Sequence, residues 1–109
     1  MNKFWPLLGT IILLAGVESA PADTALKVVI KDHVFQPAEI HIKADDEVTL
    51  TVDNQDATPE EFESHDLRIE KVVPGNSTGV VRFGPLKPGT YEFVGEYNEK
   101  TAKGKLIVK

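Results

Sequence analysis

An all-β sandwich is the fold class this sequence predicts, on three observations. Apolar and polar residues alternate at period two through most of the chain. Runs rich in β-branched residues are bounded by Gly, Pro, Asn and Asp. No segment keeps a helical period of useful length. Together these give about seven to eight short strands.

In order, Leu26 to Lys31 reads as the first strand, and Asp32 to Pro37 interrupts it, because Pro37 cannot donate to a ladder and restricts Gln36 before it. Glu39 to Lys43 alternates with Ile40 and Ile42 inward and His41 outward, and Ala44 to Asp46 turns the chain. Glu47 to Asp53 buries Val48, Leu50 and Val52. Asn54 to Pro59 is turn chemistry, and Leu67 to Val73 reads as a strand stopped by Pro74-Gly75. Thr78 to Phe83, Tyr91 to Tyr97 and Lys105 to Val108 supply the remaining strands, with Tyr91 and Phe93 sharing a face.

The amino-terminal part is expected to lie outside this domain. Lys3, the apolar run Trp5 to Val17 and the small residues Ala20 and Ala22 make residues 1–22 read as a signal peptide cleaved after Ala22, with an uncleaved amino-terminal anchor as the alternative. That leaves residues 23–109 as one exported domain, periplasmic and without a membrane insertion of its own. The chain has no Cys and a formal net charge of −5, so no disulfide or thiolate is available. An acidic domain without a basic patch excludes nucleic acid as a partner.

The chemistry concentrates in Glu60 to Glu70 (EEFESHDLRIE). Read as one strand, it puts Glu61, Glu63 and His65 on the same face as Leu67 and Ile69, and turns Glu70 to the opposite face unless a bulge intervenes. Clustered carboxylates with imidazole point to a transition-metal site. Ser-His-Asp, phosphate-loop and H-E-x-x-H patterns are missing, so hydrolase and transferase readings lack their parts.

The final third resembles the cupredoxins. Pro88-Gly89-Thr90-Tyr91-Glu92-Phe93 looks like the family's PGxYxF strand, and Gly104 to Val108 like its closing strand. The resemblance implies a cupredoxin-like Greek-key β-sandwich. It also puts Gly95, Asn98 and Ala102 where blue-copper members carry Cys, His and Met, and His65 where they carry the first His. A type 1 copper centre is therefore not expected. Glu61 to Ser64, Arg68 to Lys71, Gly84 to Tyr91, Phe93 to Tyr97 and Thr101 to Gly104 are similar to the cupredoxin-like domain of periplasmic iron-uptake systems, the EfeO-type branch, in its stand-alone form. That likeness implies binding of iron or copper, with ferrous iron oxidised by some members, beside a membrane iron permease and a periplasmic iron-binding partner.

The expected metal ligands are Glu61, Glu63 and Glu96, with Glu70, His65 and His33 as further candidates. Two readings compete with iron acquisition. One is a copper or electron-transfer protein using His65, His33 and carboxylates; the other is a metal-free interaction module.

Overall fold

The computed structural model describes residues 22–109; the expected signal peptide, 1–22, lies almost wholly outside the described residues. Among the described residues nine strands form: β1 (Asp23–Lys31), β2 (Val34–Gln36), β3 (Glu39–Ile42), β4 (Glu47–Asn54), β5 (Glu60–Ser64), β6 (Ile69–Val73), β7 (Ser77–Phe83), β8 (Gly89–Gly95) and β9 (Lys103–Val108). A 3-10 turn, Glu96–Asn98, follows β8. The strands make a four-stranded sheet in the order β2-β1-β4-β7 and a five-stranded sheet in the order β3-β9-β8-β5-β6. This is a cupredoxin-like β-sandwich. No described helix is long and apolar enough to cross a membrane.

The core lies between the two sheets, where the alternating apolar residues meet. Val28, Ile30, Val48, Leu50 and Val52 come from one sheet, and Ile40, Ile42, Leu106 and Val108 from the other. Three rings join the layers: Phe35 sits edge-on to Phe93 with centroids 5.0 Å apart, and Phe62 stacks on Phe93, also at 5.0 Å. Such pairs add about 0.5–1.5 kcal/mol each beyond the area they bury.

Two departures from the sequence reading matter for the site. The first is β2, which pairs with β1 as a hairpin where an interruption was expected. Its two-residue turn, Asp32-His33, takes positive φ at both residues (54° and 61°). That is the geometry a tight hairpin demands, here met without glycine. The Asp56 carboxylate pins both turn amides, at 2.7 Å from Asp32 N and 3.0 Å from His33 N.

The second departure is the acidic stretch. It is not one strand: the chain reverses between His65 and Arg68, and β5 pairs antiparallel with β6. In that ladder Glu63 stands directly opposite Glu70, and Ser64 opposite Ile69. Residues paired across a hairpin share a face whatever their parity, so Glu70 joins the Glu61 and Glu63 face without any bulge. Phe62 carries the core side of β5, and Ile69, paired with Ser64, packs against the core from β6.

Four connections gather at one end of the sandwich: the β1–β2 turn, the β4–β5 loop, the β6–β7 loop and the β8–β9 passage. Buried Asn54 ties three segments there, donating its amide to the carbonyls of Thr58, Val73 and Pro74 at 2.9–3.2 Å. The His65–Arg68 reversal lies at the far end of β5.

Candidate metal centre

Glu61, Glu70 and Glu96 meet on the outer face of the five-stranded sheet. Each offers a carboxylate oxygen, and the three oxygens lie within 4.8 Å of one another. Neighbouring strands do the positioning. The β5–β8 ladder pairs Phe62 with Gly95, so Glu96, the next residue, arrives beside Glu61. The β5–β6 ladder places Glu70 two positions from Val72, the residue facing Glu61.

Glu61 is half-buried, whereas Glu70 and Glu96 are exposed. Desolvation, then a proton shared with Glu96, then the charges of Glu96, Glu70 and Glu60 hold the Glu61 carboxyl above the ordinary glutamate range. Oxygens that share one ion at bonds of about 2.0–2.6 Å lie at most about 4–5 Å apart. The trio is spaced for one hard cation.

The other expected ligands lie elsewhere. Glu63 is buried, 6% exposed, with Oε1 against His65 Nε2 at 2.9 Å. Its carboxylate is not one of the clustered three. His65 stands in the β5–β6 reversal with its side chain 90% exposed. His33 sits on the hairpin turn, its ring 3.9 Å from Asp56, and is likewise outside the cluster. His41 pairs with Glu39 at 3.1 Å on the surface, as expected of an outward residue.

The residue that sequence reasoning passed over is Glu60. It is 2% exposed, on the core side of β5 with Phe62. Its Oε1 accepts the amides of Tyr97 (2.9 Å) and Glu61 (3.0 Å), and its Oε2 accepts Asn98 Nδ2 at 2.6 Å. A Cβ at Gly95 would stand 2.6 Å from the Glu60 carboxyl carbon and 2.8 Å from Ala102 Cβ. Gly95, Asn98 and Ala102, which the resemblance aligns with copper ligands, therefore do converge, but on a carboxylate. His65 is not among them. With no thiolate or imidazole there and Glu60 filling the space, the residues do not fit a type 1 copper ion.

The packing makes a direct prediction. Gly95→Ala should destabilise the fold by about 1–3 kcal/mol, the usual cost of an added carbon in a filled interior. Urea unfolding of the variant reads it; an unshifted midpoint would show that Glu60 and Ala102 yield freely.

The sequence profile of the cupredoxin-like domain matches residues 6–108. The chain belongs to the cupredoxin-like family. Over 83 residues it is 42% identical to the uncharacterized protein RP394 of Rickettsia prowazekii (strain Madrid E), a match that covers 76% of this chain and 66% of that protein. Solved structures share the fold at low identity. The metal binding domain of the Cu(I)-exporting P-type ATPase CopA of Streptococcus pneumoniae D39 superposes with a TM-score of 0.69 at 18% identity, covering 84% of this chain and 91% of that one. A copper binding protein in its apo form reaches 0.71 at 20% identity over 84% and 93%. Auracyanin A, a blue copper protein of Chloroflexus aurantiacus, reaches 0.67 at 18% identity over 81% and 100%.

Proposed function

We propose that this cupredoxin-like protein binds iron at Glu61, Glu70 and Glu96 and serves periplasmic iron acquisition as a member of the EfeO-type branch. The observation that carries the reading is the carboxylate trio within 4.8 Å. Three anionic oxygens are hard donors and hold Fe(III) more tightly than Fe(II). The same preference lowers the iron potential and favours the oxidised cargo. Half-burial of Glu61 strengthens the field, while the exposed Glu70 and Glu96 leave the ion open to transfer.

Export through the amino-terminal apolar run, and a membrane iron permease with a periplasmic iron-binding partner as donor and acceptor, complete the proposal. Copper, named for several structural relatives, finds no type 1 ligand set here, because Glu60 fills the corresponding space.

Calorimetric titration of the purified chain with Fe(III)-citrate, with Fe(II) under anaerobic conditions and with Cu(II) tests the reading. Iron should bind tighter than the millimolar range, and Glu61→Gln with Glu96→Gln should abolish it. Binding of copper alone would overturn it. Silence with every metal would also overturn it and leave an acidic surface that recognises a protein.

A further inference from the structure

We propose a second cation site, separate from the carboxylate trio and independent of the iron reading. Glu63 and His65 form a chelate for a borderline divalent cation such as Zn(II) or Cu(II).

The starting observation is an unpaired buried oxygen. Glu63 is 6% exposed, and its Oε2 is buried with no hydrogen-bond partner among the described residues. A carboxylate oxygen in that position loses its water and gains nothing in return, which native interiors rarely tolerate. Its partner oxygen, Oε1, meets His65 Nε2 at 2.9 Å. Two neighbours add negative charge without satisfying Oε2: Glu70 directly across the β5–β6 ladder and Glu61 two residues back on the same face. A cation between Glu63 and His65 would supply the missing countercharge.

The chemistry agrees with a borderline ion. One carboxylate and one imidazole suit Zn(II) or Cu(II) better than a hard, all-oxygen ion. With metal–ligand bonds of about 2.0–2.2 Å, adjacent ligand atoms stand about 3–3.4 Å apart, so the present 2.9 Å contact needs to open only slightly. Grooves flank the pair on both sides. One of about 330 Å³ is bordered by Arg68 and Glu70, and one of about 280 Å³ by Asp66 and Glu92. They give water access to the remaining coordination positions.

The protein contains its own comparison. Glu39 and His41 repeat the Glu-x-His spacing on β3 with a 3.1 Å contact, but their side chains are 51% and 59% exposed and no oxygen is stranded. That pair is satisfied by solvent and is expected to bind no ion. Burial of Glu63, not the spacing, separates the two.

EPR of the full chain loaded with Cu(II), together with Zn(II) titration, tests the proposal. One-imidazole nitrogen coupling is expected in the wild type. It should persist in His41→Gln and in the Glu61→Gln, Glu96→Gln double variant, and vanish in His65→Gln. Zn(II) affinity should fall about 10-fold or more in His65→Gln and in Glu63→Gln. His65→Gln changes an exposed ring, and its urea midpoint, read beside the EPR signal, separates loss of a ligand from unfolding. Nitrogen coupling that survives His65→Gln, or the absence of binding by either ion, overturns the proposal. Loss of the signal in His41→Gln overturns it as well. Failure of iron to bind the trio leaves it standing, since the double variant isolates this site.

Discussion

Glu60→Ala is expected to cost the protein about 2–4 kcal/mol, read from the urea midpoint, and to loosen the β8–β9 passage. The carboxylate accepts three donors: the amides of Glu61 and Tyr97 and the side-chain amide of Asn98. Hydrogen bonds to a charged group contribute about 1.5–3 kcal/mol each, and a buried donor left alone costs about 1–3 kcal/mol. Water entering the vacated space recovers part of that sum, which is why the expected figure stays near the cost of one or two donors. Glu60→Gln keeps the shape but must turn an NH2 toward either Asn98 Nδ2 or the Tyr97 and Glu61 amides, so it should also destabilise, by less. Amide exchange at Tyr97 should accelerate in both variants while the β4 amides keep their protection. The Glu60→Ala, Gly95→Ala double variant should be less destabilised than the sum of the singles, because removing the carboxyl frees the space a Cβ needs. Unchanged stability of Glu60→Ala would mean that solvent already satisfies these donors.

Much of the fold was legible because period-two alternation and turn residues report local geometry. β3, β4 and β9 appear where the pattern puts them, with Ile40, Ile42, Leu50 and Leu106 inward. What escaped was a reversal whose turn residues, Ser64 and Asp66, come without Gly or Pro. His65-Asp66-Leu67-Arg68 holds no Gly or Pro, and the alternation of Glu63, His65, Leu67 and Ile69 runs straight through it. Arg68 closes the turn at φ 58°, a conformation usually left to Gly or Asn, so composition could not announce it. The same reversal decides Glu70, whose face depends on pairing across a hairpin, not on counting along a strand.

Glu60 was hidden for a different reason. A lone Glu is most often solvated, and its donors come from Tyr97 and Asn98, far along the chain. Its parity with Phe62 and its place directly after Pro59 were the available signals. The resemblance to cupredoxins, by contrast, correctly groups Gly95, Asn98 and Ala102 as neighbours, although they surround the Glu60 carboxylate and His65 lies elsewhere.

At the carboxylate trio, Glu61→Gln with Glu96→Gln is expected to move binding and stability in opposite directions. Iron affinity should fall by about 100-fold or more, beyond the roughly 10–100-fold that loss of a merely orienting partner costs. The metal-free protein should gain thermal stability at pH 7. The sign follows from Glu61, whose carboxyl is held above its ordinary value chiefly by burial, then by Glu96, Glu70 and Glu60. A raised carboxyl favours folding fully below the unfolded-state value of about 4.3 and loses that contribution as pH rises through the folded-state value. Wild-type Tm should therefore decline relative to the double variant between acid and neutral pH, and the two should converge near pH 4. Iron binding runs the other way, since protons compete for the same oxygens, and it should weaken as pH falls through the raised Glu61 value. A scaffold that tolerates mutual repulsion at neutral pH gains most when a cation removes it. A double variant that is less stable at pH 7, or that still binds iron as the wild type does, would show that these carboxylates serve the fold and not a metal.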